Sequence, residues 1–229
     1  MSKYNFSFKE ESPVKSLTSR WEKVSSDHRH LTRRDAVVKN EQIIKEALEC
    51  IGPINYSTIV DWGPGGGFIS KSILPETVHY YDIVASHEPL LRELNSPTIS
   101  DINFHLVPED VSQLEGKVTN PDLLIAYSVI YHMPGLEYVN KVAHFWNTIM
   151  CPKTIAIRNM FSAGKSWERE SDEYYRSSNY IRGNLYNLQD FLSLFTNYEL
   201  VYKKDLPVRA QNISNISQRD ISLVLTRND

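Results

Sequence analysis

Thr58-Ile59-Val60-Asp61-Trp62-Gly63-Pro64-Gly65-Gly66-Gly67-Phe68-Ile69-Ser70 is the stretch around which this chain is organised. A short β-branched run ends in an acid, four glycines follow between positions 63 and 67, and a helical pattern starts at once. That succession predicts strand, tight turn and helix, with glycines where a backbone must bend sharply or meet a ligand. A phosphate-cradling P-loop is excluded, because no Lys-Ser or Lys-Thr pair follows the last glycine at the required place. A dinucleotide fingerprint fails as well: the sixth place counted from Gly63 is Phe68, too large for close helix–strand packing. The pattern that remains is acid-x-G-x-G-x-G, filled by Asp61, Gly63, Gly65 and Gly67.

Working outward, residues 77–84 read as a second strand, with Asp82 near its carboxyl end. An acid at that place can accept from both hydroxyls of a ribose, or simply cap the helix that starts near Ser86. A third strand, 102–107, leads into Pro108-Glu109-Asp110-Val111. The second strong stretch runs from Pro121 through Asp122-Leu123-Leu124-Ile125-Ala126-Tyr127-Ser128 to Tyr131-His132-Met133-Pro134. Its unbroken apolar run predicts a central parallel strand covered on both faces. The strand ends in Ser128 and delivers Tyr131 and His132 to the carboxyl edge, where open α/β sheets bind ligands.

The first motif resembles that of the class I methyltransferases that use S-adenosylmethionine, and the run from Asp122 through Ser128 to His132 is similar to theirs. The resemblance implies S-adenosylmethionine as cofactor, held by Asp61, Gly63, Gly65, Gly67, Asp82 and Ser128. It further implies that an acid after the third strand, Glu109 or Asp110, accepts from the adenine amino group, with the Val111 amide meeting the ring nitrogens; an exposed loop pair is the alternative. The segment before the first strand often closes over the cofactor in that family. Here residues 1–36 stand in that place, ahead of a domain spanning 37–229, and the basic run from Lys15 to Lys39 is either such a cap or a solvated helical face with local ion pairs. Trp21 packs on the cofactor or anchors this segment.

The remaining elements support the same architecture. Helices are expected over 37–51 and 136–150, and over 188–195 behind an Asn187 cap. Further strands are expected over 154–160, 199–204 and 221–226. The alternation predicts a Rossmann-like α/β sandwich, a mainly parallel seven-stranded sheet with an antiparallel last strand. Residues 161–186, rich in tyrosine and charge, are too long for a plain connection and are read as a lid. Tyr175, Arg176, Asn179 and Tyr180 in it, with Tyr131 and Arg158, are the candidate substrate contacts. Arg158 either meets an anionic group or forms a salt bridge at the sheet edge.

Composition sets limits. The chain has 229 residues, 41% hydrophobic and 23% charged, and a formal charge of −3, which argues against a dedicated nucleic-acid binder. No apolar run approaches the ~18 residues of a membrane span. Met1 to Pro13 carries no signal-like hydrophobic region, so a cytoplasmic protein is expected. Cys50 and Cys151 lack metal-ligand spacing, and no metal is expected.

The expected chemistry is methyl transfer to a hydroxyl of a polar small molecule, sugar-like or phosphorylated. His132 is the candidate general base, and a structural histidine is the alternative. Methylation of RNA or protein, or an inactive binding domain, are the competing functions. Oligomeric state is not legible.

Overall fold

The computed structural model describes residues 13–25, 34–52, 55–166, 185–207 and 218–228. Helices α1 (Pro13–Ser25) and α2 (Arg34–Glu49) precede the sheet. Strands β1 (Thr58–Trp62), β2 (Thr77–Asp82), β3 (Asp101–Leu106), β4 (Leu123–Tyr127) and β5 (Thr154–Ser162) are parallel; β6 (Tyr198–Leu206) and β7 (Gln218–Arg227) complete the sheet. The order is β3-β2-β1-β4-β5-β7-β6, with β7 antiparallel to both neighbours. The expected topology is therefore the observed one.

Strand alternation sorts the core into layers. Val60, Trp62, Leu124, Ala126, Ile155 and Ile157 face one side, and Ile59, Leu123, Ile125 and Ala156 face the other. The second side is covered by Ile43, Ile44 and Leu48 of α2. The first is covered by α5 (Leu136–His144) and α6 (Leu188–Leu192), whose Val139, Val142 and Phe191 are buried. The short α3 (Phe68–Lys71) follows the glycine turn, and α4 (His87–Asn95) packs Leu91 on Val78 and Tyr80.

Three details depart from the sequence reading. The expected helix over 136–150 changes to a π-helical turn at Phe145–Met150, and the wider turn lets the consecutive Phe145, Trp146 and Asn147 all be buried. The link from β3 to β4, where strict strand–helix alternation would place a helix, holds a single 3₁₀ turn, Val111–Leu114, since Pro108, Gly116 and Pro121 leave no room for one. The stretch read as a lid is shorter than 161–186. Phe161 and Ser162 belong to β5, and Leu185 and Tyr186 are buried. Ser162 N donates to Tyr186 O at 2.8 Å, so the insertion leaves and rejoins the sheet at one point.

The chain order turns back between β1 and β4: β2 and β3 lie on one side of β1, β4 and β5 on the other. Such a switch point opens a crevice at the carboxyl ends of the strands.

Candidate active site

That crevice is a cleft of ≈ 270 Å³, bordered by the glycine turn, the ends of β2 and β4, and helix α1. Gly63 N donates to Tyr81 O at 2.8 Å, which carries the chain off β1 with φ +67. A Cβ at Gly63 would lie 2.3 Å from Val129 Cγ2, so only glycine lets the two strand ends approach. Gly63, Gly65 and Gly66 border the cleft. Gly67 does not: at φ +70 its Cα faces Tyr80 Oη and Asn95 Nδ2, which a Cβ would meet at 2.6 and 2.8 Å. The third glycine of the motif therefore packs the turn onto β2 and α4.

Asp61 is 3% exposed and lies beneath the turn, outside the cleft lining. Burial raises its carboxyl to about 7, Ser70 beside it lowers it, and the Asp82 charge raises it again. Asp82 borders the cleft, its oxygens fixed by two local bonds. Val84 N donates to Oδ1 at 3.0 Å, and His87 Nδ1 lies 3.0 Å from Oδ2. An ionised carboxylate has about four lone-pair sites, so accepting capacity toward the cleft remains.

On the β4 side, Ser128 takes φ +59 and donates its N–H to Arg158 O at 2.7 Å, which turns the chain into the cleft wall. The following 3₁₀ turn, Ile130–His132, brings His132 to the cleft. Its ring stands edge-on to Trp21 of α1, centroids 5.1 Å apart and planes at 86°. Tyr131 lies behind it, ring centroids 4.1 Å apart, with its N–H donating to Asn159 Oδ1 at 3.1 Å. Tyr131 is thus not among the cleft-lining residues.

Other expected contacts lie elsewhere. Glu109 and Asp110 are exposed, and the Asp110 carboxylate accepts from Ser112 N at 3.1 Å, capping the 3₁₀ turn. Val111 packs its side chain in the core, whereas the expected contact is its backbone amide. Arg158 is bidentate on Asp220, Nε–Oδ1 3.1 Å and Nη2–Oδ2 2.6 Å, and its Nη1 donates to Asn40 Oδ1. Its guanidinium is thereby committed to the salt bridge, the second of its two readings. Tyr175, Arg176, Asn179 and Tyr180 lie outside the described residues.

The cleft also has walls that the motifs do not announce. Ile83 and Val107, just past β2 and β3, form an apolar slot beside Asp82. Val14, Leu17 and Trp21, at helical spacing, turn one stripe of α1 toward the cleft. That 14-17-21 spacing was the available signal. Trp62 and Tyr81 stack at 5.0 Å and 5° under the turn. Among the described residues no group of three or more His, Cys, Asp or Glu is arranged to hold a metal, and no helix is long and apolar enough to cross a membrane.

No protein-family model matches the chain, and no curated protein matches it by sequence. Solved structures do match in shape. The 1,6-didemethyltoxoflavin-N1-methyltransferase of Burkholderia thailandensis, solved with S-adenosylhomocysteine, aligns with a TM-score of 0.63 at 16% identity, covering 98% of this chain and 94% of that one. Magnesium protoporphyrin IX methyltransferase from Synechocystis PCC 6803, solved with bound SAM, gives 0.62 at 12% identity, covering 97% and 100%. The N-methyltransferase NodS of Bradyrhizobium japonicum WM9 gives 0.59 at 10%, covering 96% and 100%. The chain has the class I methyltransferase fold.

Proposed function

We propose that this protein transfers the methyl group of S-adenosylmethionine to a hydroxyl of a small molecule bound in the cleft beside His132. The observation that carries this reading is convergence on one cleft. The glycine turn, a locally fixed carboxylate, an apolar slot and a histidine border the same space at the switch point of a methyltransferase fold. Each suits one part of the cofactor. Asp82 can accept from the ribose hydroxyls, Ile83 and Val107 can sandwich the base, and the open backbone at Gly63–Gly66 accommodates the chain that bears the sulfur.

When bound, S-adenosylmethionine supplies a methyl group activated on a positively charged sulfur. The protein's task is then chiefly to position the acceptor in line. Trp21 fixes the plane of the His132 ring, so the imidazole can take the proton of an acceptor hydroxyl as its oxygen attacks. A neutral acceptor is better supported than a phosphorylated one. Among the described residues that border the cleft there is no lysine or arginine, while Asp82 contributes a carboxylate.

Calorimetric titration tests the reading. S-adenosylmethionine and S-adenosylhomocysteine are expected to bind, and nicotinamide dinucleotides are not. Asp82→Asn is expected to weaken binding about tenfold, the scale of one charge-assisted hydrogen bond. Absence of binding by the wild-type protein to either sulfur nucleoside would overturn the proposal.

A further inference from the structure

Asn40 of α2 borders the cleft and is hydrogen-bonded on its other side to Arg158 of β5. A guanidinium has only donors, so the amide must present Oδ1 to it. That settles which way the Asn40 side chain faces, a choice that otherwise rests on the hydrogen-bond network. Arg158 is itself held by the bidentate pair with Asp220, both side chains largely buried at 15% and 13% exposure. Asp220, Arg158 and Asn40 form a relay across β7, β5 and α2 that ends in the Asn40 NH₂, a two-hydrogen donor on a residue that borders the cleft.

The direction of the cleft says what that donor meets. Asp82 stands on β2 and the apolar slot lies toward β3, so base and ribose would occupy that flank on the reading above. On that reading the opposite arm of the cofactor would run across β1 toward β4, two strand spacings or ~10 Å away, on the side where α2 meets β5. That arm ends in an amino acid whose carboxylate needs donors, and no lysine or arginine borders the cleft among the described residues.

Resting on the S-adenosylmethionine reading, we propose that Asn40 binds the carboxylate of the cofactor's methionyl arm, with Arg158 and Asp220 as the positioning residues behind it. The Arg158 charge polarises the amide from the rear. An aspartate at position 40 would keep the Arg158 partner but would face the carboxylate with a like charge.

The test compares two ligands that differ in this arm. S-adenosylhomocysteine carries the amino acid; 5′-methylthioadenosine lacks it. Asn40→Asp and Asn40→Ala are expected to weaken S-adenosylhomocysteine binding about tenfold to a hundredfold and to leave methylthioadenosine unchanged. Thermal unfolding shows that the variants are folded. Arg158→Lys is expected to give a smaller loss with the same ligand selectivity. Combined with Asn40→Ala it should add nothing further, because Arg158 acts through the amide. Equal losses for both ligands, no loss for either, a change confined to the acceptor's KM, or additive effects of the two substitutions would each overturn the assignment. Wild-type protein that binds neither ligand would instead refute the cofactor reading itself.

Discussion

The two flanks of the cleft are built differently. On the β1–β2 flank Asp82 is positioned by near neighbours in sequence, Val84 and His87, while the glycine turn leans on Tyr81, Asn95 and Val129. On the β4–β5 flank the groups come from afar: Asn40 meets Arg158 across 118 residues, Arg158 meets Asp220 across 62, and His132 meets Trp21 of α1. The Asp82 corner of the first flank carries its own geometry. The second exists only once the sheet has assembled, and it is where acceptor chemistry is placed in our reading.

Substitutions can break this comparison. The largest expected effect falls on the distant flank. His132→Ala should lower kcat for a hydroxyl acceptor by about 10²–10⁴, the usual worth of a general base, with S-adenosylmethionine affinity unchanged in titration. A loss of cofactor affinity instead would make His132 part of the local flank's work.

Next comes the buried acid under the turn. Its carboxyl is raised to about 7, so between pH 4 and pH 7 the folded chain holds a proton that the unfolded chain has released. Stability contributed by Asp61 is therefore highest near pH 4, falls as pH rises, and is level above pH 7. His105, lowered to about 4 by burial and by His79, works in the opposite sense, adding stability as pH rises from 4 to 6.5. Asp61→Asn removes only the first slope. Denaturant unfolding of the variant minus wild type should shift in the variant's favour by on the order of 3 kcal/mol between pH 4 and pH 8.

The smallest effect sharpens the role of close approach. Gly63→Ala must adopt a left-handed backbone and meet Val129, at an expected cost of about 2 kcal/mol in unfolding free energy. Val129→Ala should restore part of that loss in the double variant, and the restored part measures the contact alone.

What could be read in the sequence follows the same division. Strand, glycine turn, Asp82, the buried β4 run and His132 were legible, because period and turn chemistry are properties of short segments. The α1 stripe of Val14, Leu17 and Trp21 was visible only as periodicity, with nothing to say that it faces a cleft. Asn40 gave no signal, and Arg158 could not be divided between ligand and salt bridge until β7 delivered Asp220. Glu109 and Asp110 could not be told apart in the sequence for a physical reason: an acid before a 3₁₀ turn, as Asp110 is, caps it as readily as it binds a base. The slot beside them is apolar, made by Ile83 and Val107.

The pinned neck at Ser162 and Tyr186 bears on the tolerance of insertions. Tyr186 Oη also donates to Leu136 O at 3.0 Å, tying the returning chain to α5. A stretch whose two ends are clasped together can lengthen, shorten or change composition at little cost to the sheet, since closure entropy grows slowly with length. A change of length between residues 167 and 184 is therefore expected to cost the sheet little.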